Sequence, residues 1–108
     1  MPFALVAERE GALCGNALVI LNDLWARANL APWLAALWVD EPMRHRGVAT
    51  ALLEEGVRRT GALGIERIYL NSRAALQGFY TGLGWTIVEE NVGPDALTVY
   101  QRRTSSSG

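Results

Sequence analysis

The chain has 108 residues and a formal net charge of -1. That length suits one domain, and the charge gives no reason to expect nucleic acid, whose affinity needs clustered positive charge. Hydrophobic residues make up 50%, too many for a disordered chain, yet no apolar run reaches the ~18 residues of a membrane span.

In chain order, residues 3–8 alternate weakly and are apolar, Glu10-Gly11 is a turn signal, and residues 12–21 form a second apolar run. The pair reads as a β-hairpin. Residues 22–32 carry Asn, Asp and Pro and read as a loop. Residues 33–39 are apolar throughout, as expected of a strand buried on both faces. Asp40-Glu41-Pro42 breaks that run. Val48, Leu52, Leu53, Val57 and Leu63 then recur at helical spacing, with Glu54–Arg58 and Glu55–Arg59 as i,i+4 pairs on the solvated side. Gly61 and Gly64 are expected to end this helix. Residues 67–71 read as a strand and 73–82 as a short helix. Residues 85–89 and 97–102 read as strands around a turn with Gly93-Pro94. The tail, residues 104–108, is low in complexity and is expected to fray, leaving one domain over residues 1–103. No basic-then-apolar leader opens the sequence, and the single cysteine, Cys14, cannot form an internal disulfide, so a cytoplasmic setting is expected.

The middle of the chain is therefore strand, helix, strand, which demands two parallel strands joined by a right-handed crossover. Ligands of open α/β sheets lie beyond the carboxyl ends of parallel strands. Here that region gathers Val39, residues 44–49 and Asn71. The loop reads Arg44-His45-Arg46-Gly47-Val48-Ala49. A helix start offers amide N–H groups without internal partners and the positive end of the macrodipole. Gly47 lets the backbone come close to an anion, and arginines add charge-assisted bonds to phosphate. No zinc spacing, Walker loop or Gly-x-Gly-x-x-Gly is present.

A second motif comes one strand later: Phe79-Tyr80-Thr81-Gly82-Leu83-Gly84-Trp85. An apolar strand ending Leu37-Trp38-Val39, then Arg-x-x-Gly-x-Ala, a helix, a strand and a short helix ending in this motif resemble the GNAT acyltransferase superfamily. The resemblance runs from the hairpin to about Arg103. It implies an α/β fold with a mixed, mostly antiparallel sheet and a central parallel strand–helix–strand unit. The family usually begins with a further strand and helix pair before the hairpin, so this chain resembles a short member.

The resemblance implies transfer of an acetyl group from acetyl-CoA, as cosubstrate, to an amine of a small molecule or peptide by direct attack. The cofactor-binding residues it implies are Leu37, Trp38, Val39, Arg44, His45, Arg46, Gly47, Val48, Ala49, Thr50, Asn71 and Tyr80. Amides of Arg46 to Thr50 would face the pyrophosphate, and the backbone of Leu37 to Val39 would pair with the pantetheine arm. Tyr80 is the candidate general acid, since a phenol with a pKa of ~10 stays protonated at neutral pH. No base is legible: the central strand offers no carboxylate, and Glu89, Glu90 and Asp95 near the last hairpin read first as a solvated turn. Cys14 reads as a small buried residue, and Trp25, Trp33, Trp38 and Trp85 as mostly core, with Trp25 a weak candidate for the acceptor side. A non-catalytic acyl-CoA-binding or interaction module shares the same cofactor signals. The apolar residues 3–7 would form an edge strand, so a homodimer is expected.

Overall fold

Arg9 and Ala12 face each other across a two-residue turn, because Glu10 (φ 52°) and Gly11 (φ 82°) both take positive φ. Such a turn matches the natural twist of paired strands and closes a hairpin tightly. The hairpin strands are β1, Phe3–Arg9, and β2, Ala12–Ile20. The computed structural model describes residues 2–40 and 47–104. Most of the tail expected to fray, residues 105–108, lies outside them. A 3₁₀ turn, Trp25–Arg27, interrupts the loop after β2, and β3 is Trp33–Val39. Helix α1, Val48–Ala62, leads to β4, Arg67–Ser72. A 3₁₀ turn, Ala74–Leu76, runs into the short helix α2, Gln77–Gly82. Strands β5, Thr86–Val92, and β6, Leu97–Arg103, complete the described chain.

The strands form one mixed sheet in the order β1-β2-β3-β4-β6-β5. Among the described residues only β3 and β4 run parallel, joined by α1. This is the α/β class and the parallel unit expected from the strand–helix–strand pattern. β1 lies at an edge.

Alternate residues feed two cores. Leu34 on β3, Ile68 and Leu70 on β4, and Tyr100 on β6 pack with Leu52, Leu53 and Val57 of α1 and with Tyr80 of α2. Their neighbours Trp33, Tyr69 and Val99 face the other way, where Leu24 and Leu30 of the loop before β3 cover them. One face of the sheet is thus a helix face and the other a loop face. Trp33 and Trp85 are core residues, as expected of the tryptophans, whereas Trp25 is 88% exposed and Trp38 nearly half exposed. β3 is buried on both faces only in its first half; beyond Ala35 its residues are half-buried or exposed.

Two helix details also differ from expectation. Glu55 holds both Arg58 (2.6 Å) and Arg59 (3.0 Å), while Glu54 reaches across to Arg102 on β6 (2.6 Å) instead of pairing with Arg58. Gly61 sits inside the last turn, where an added Cβ would lie 3.1 Å from Thr104 Cβ. The helix ends at Gly64, with φ +83°. There the Gly64 and Ile65 amides donate back to Gly61 and Thr60 carbonyls, a Schellman cap. Among the described residues no helix is long and apolar enough to cross a membrane.

Candidate functional site

β3 leaves β4 partway along its length. The two register at Trp33 opposite Tyr69, with the Tyr69 amide donating to Pro32 O at 2.9 Å. On its other side, β3 pairs Ala35 with Leu18 and then Trp38 with Asn16, so Ala17 alone spans Ala36 and Leu37. Ala36 takes φ 53° to make this bulge. An extra residue bends a strand and re-aims the residues beyond it. Leu37, Trp38 and Val39 therefore continue along β2 while the sheet opens between β3 and β4.

The start of α1 lies against that re-aimed segment. Gly15 of β2 faces Val39 and is the point of contact: a Cβ there would sit 2.9 Å from Trp38 O and 3.2 Å from Val48 Cγ1. A larger residue would push the helix start away from β3. Gly47 caps the helix with φ +77°, and among the described residues no side chain caps it. The Ala51 amide donates to Gly47 O at 3.0 Å, so Val48, Ala49 and Thr50 are the first turn, whose amides precede the intrahelical ladder. Among the described residues nothing lies within 4 Å of the position a Cβ would take at Gly47. Arg44, His45 and Arg46 lie outside the described residues.

The opening between the parallel strands is a cleft of about 380 Å³. Leu34 to Leu37 form one wall, and Leu70 to Arg73 with Leu76 and Tyr80 form the other. Tyr80 is 8% exposed and is wedged between Phe79 and Tyr100, with ring centroids 5.0 and 5.2 Å away. Burial, and then Tyr100, push its phenol above the usual value. Tyr100 itself is held: Ser72 Oγ donates to Arg73 O at 3.0 Å and lies 2.8 Å from Tyr100 Oη, which is left as the donor in that second bond. Among the expected residues, the cleft gathers Leu37, Asn71 and Tyr80; Trp38 and Val39 come next on the same strand.

One cleft residue carries no signal in the sequence. Asp23, from the loop before β3, accepts a hydrogen bond from Asn71 Nδ2 at 2.9 Å and lines the cleft. In sequence it is one more polar residue in a loop, and its partner stands 48 positions away. The loop has a second tie. Arg27 Nε donates to Glu89 Oε1 at 2.8 Å, and its Nη2 pairs with the other carboxylate oxygen. That guanidinium holds the Glu89 carboxyl below the usual range. Glu90 accepts from Gln77 Nε2 at 2.8 Å, which also donates to Thr98 Oγ1. Glu89 and Glu90 are thus engaged with protein partners. Cys14 is buried, as its place in β2 implies.

A larger hollow, about 800 Å³, lies between α1 and β6. Its lining includes the bidentate Arg102–Glu54 pair and shares no residue with the cleft between β3 and β4. Among the described residues no group of three or more His, Cys, Asp or Glu could hold a metal ion.

Residues 3–87 match the Acetyltransferase (GNAT) domain family. Solved structures of similar fold include an aminoglycoside 6'-N-acetyltransferase complexed with coenzyme A. It is 16% identical with a TM-score of 0.79, and the match covers 99% of this chain and 75% of that one. An acetyltransferase from Bacillus cereus is 23% identical with a TM-score of 0.76, covering 95% and 73%. The ribosomal-protein-S18-alanine N-acetyltransferase from Escherichia coli is 19% identical with a TM-score of 0.74, covering 99% and 72%. A comparison with curated protein sequences finds no match.

Proposed function

The chain belongs to the GNAT acetyltransferase family, and on that premise we propose that it is an N-acetyltransferase that uses acetyl-CoA and an amine acceptor. The observation that carries this reading is the juxtaposition at Gly15. The glycine-capped start of α1 abuts β3 where that strand is re-aimed, beside a cleft that holds Tyr80.

The residues present fit the cosubstrate. The first-turn amides of Val48, Ala49 and Thr50 suit a pyrophosphate, Gly47 leaves room for it, and Arg44, His45 and Arg46 are the proposed side-chain contacts. The backbone of Leu37, Trp38 and Val39 suits the pantetheine amides, and Asn71 stands across the cleft. When bound, acetyl-CoA supplies a thioester whose carbonyl carbon is open to an amine, leaving free thiol as the C–S bond breaks. Tyr80 keeps its phenolic proton at neutral pH and holds it in the cleft. Its Oη is the proposed donor to the departing sulfur, and the acceptor nitrogen loses its own proton to solvent.

Acetyl-CoA is expected to bind and to raise the melting temperature, since a ligand selective for the folded state stabilises it by ~2.7 kcal/mol at a hundredfold excess over Kd. Gly47→Val is expected to weaken that binding at least about tenfold. It also destabilises the free protein, because a β-branched residue resists φ +77° at a cost of order 1–2 kcal/mol. Calorimetry reads the first effect and thermal melting the second. No heat at millimolar acetyl-CoA removes the reading; unchanged affinity in Gly47→Val moves the phosphate elsewhere.

Self-association through the β1 edge belongs to the same reading. Val6 there is 60% exposed, and long apolar edges tend to be covered. Sedimentation at micromolar concentration is expected to give twice the chain mass, and the mass of one chain would discard the dimer.

A further inference from the structure

We propose that Asp23 seats the ammonium group of the acceptor, and that the acceptor is a monocationic primary alkylamine entering from the loop face of the sheet. This rests on the acetyltransferase reading above and adds the acceptor's chemistry and its direction of approach.

The cleft opens between two strands, so it is reached from both faces of the sheet. Tyr80 and Leu70 belong to the core on the helix face, the face that carries α1 and its glycine-capped start. Asn71 is the next residue along β4, so its side chain points to the opposite, loop face, as Tyr69 does. Asp23 comes from the loop that covers that face and meets Asn71 there. Two sets of groups thus line one opening from opposite sides. If the cosubstrate uses the helix start, the loop face is left for the acceptor.

The charges on that side select a cation, and a small one. Asn71 and Glu89 lie in one row across the sheet, because both register with Val99 of β6. Of the carboxylates named near the last hairpin, Glu89 is neutralised by Arg27, Glu90 is bonded to Gln77, and Asp95 stands in the exposed turn between β5 and β6, outside the cleft lining. Asp23 has one side-chain partner among the described residues, the neutral Asn71 amide. Arg73 also lines the cleft but makes no bond to Asp23. A carboxylate with no cationic partner at the mouth of a cleft attracts an ammonium group. Partial burial raises the Asp23 carboxyl's pKa against the opposing pull of Asn71, and a cation beside it would favour its anion. One such carboxylate matches one positive charge. Beside it the lining includes Leu37 and Leu76, which suit an alkyl stem, and Arg73, whose charge repels a second ammonium.

The test tracks the Asn71 side-chain amide by NMR in protein first titrated with coenzyme A, then with hexylamine, with 1-hexanol as the neutral control. Hexylamine is expected to shift the Asn71 amide signals saturably, hexanol to leave them unmoved, and Asp23→Asn to weaken hexylamine at least tenfold with coenzyme A affinity unchanged. The substitution is isosteric and lies in an exposed loop, so the variant's spectrum also reports its fold. An Asn71 amide indifferent to hexylamine, or equal affinity in Asp23→Asn, overturns the assignment. Failure of coenzyme A to bind in the first titration instead defeats the acetyltransferase reading, and the hexylamine shift is still scored for Asp23 in that protein.

Discussion

Tyr80→Phe is expected to lower turnover about a hundredfold while leaving acetyl-CoA affinity within about twofold of the wild type. General acid catalysis contributes typically ~10²- to 10⁴-fold, and a hundredfold loss corresponds to ~2.7 kcal/mol of transition-state stabilisation. The substitution isolates the proton from the ring. Phe79 meets that ring edge-on at 5.0 Å and Tyr100 at a tilt at 5.2 Å, and those contacts survive in phenylalanine. The hydroxyl alone disappears. Release of coenzyme A thiol across a panel of amines, read with the one that gives the fastest wild-type rate, gives kcat. Equal rates under conditions where chemistry limits would return Tyr80 to a packing role. A chain that binds acetyl-CoA but releases no thiol with any amine would be a binding module. The pH dependence carries a sign. Burial raises the Tyr80 pKa above ~10 in the folded state, so the folded protein holds this proton more tightly than the unfolded chain. The acid form is therefore present throughout the neutral range. Any loss of activity or stability from its ionisation appears only as pH rises beyond ~10.

The fold is legible because its signals are local. Gly11 marks the hairpin turn because it takes positive φ without strain, and the spacing of Val48, Leu52, Leu53 and Val57 marks the face that α1 buries. The misreadings share a different cause. Trp38 and Trp25 are apolar residues beside apolar neighbours, and periodicity cannot tell a strand buried along its full length from one that bends out of the sheet. The bend is made by Ala36 at positive φ, a conformation that alanine does not advertise. Sequence spacing pairs Glu54 with Arg58 because i,i+4 neighbours are visible in a sequence, whereas Arg102, 48 residues away, is not.

The candidate site divides in the same way. The helix start and Tyr80 sit in contiguous motifs, so a short reading frame captures them. The opposite side of the cleft is assembled by single long-range bonds, Asp23 to Asn71 and Arg27 to Glu89, between residues that are ordinary where they stand. Gly15 is intermediate. It is a glycine inside a strand, which often marks a close backbone approach, but only the register with Val39 shows what approaches it.

Trp33→Ala is expected to cost about 3–5 kcal/mol of folding stability, the range for truncating a large buried aromatic. Trp33 is fully buried and is the largest side chain of the loop-face core, packed with Val92 and Val99. Its ring tilts against Tyr69 at 5.8 Å, at the one point where β3 and β4 register. Its Nε1 donates to Leu30 O at 2.6 Å, so truncation also leaves a carbonyl without its donor. For a chain of this size each kcal/mol shifts Tm by roughly 4 °C or more, so a fall exceeding ~10 °C is expected, with a matching drop in the urea midpoint. Trp33→Phe keeps much of the packing and loses the hydrogen bond and the indole's extra ring volume, so it should recover about half of the stability. The site should respond before the fold does. Leu24 and Leu30 rest on this cluster, and Leu24 is the residue after Asp23. Loosening them frees Asp23 from Asn71 while leaving Gly15, Gly47 and the start of α1 in place. At a temperature where Trp33→Ala is still folded, acetyl-CoA should therefore bind with near wild-type affinity while the Asn71 side-chain amide loses its Asp23-dependent shift. Loss of acetyl-CoA binding in parallel would mean that the two faces of the cleft are held together by this tryptophan. A stability loss below about 1 kcal/mol would mean that the loop-face cluster contributes little to the fold.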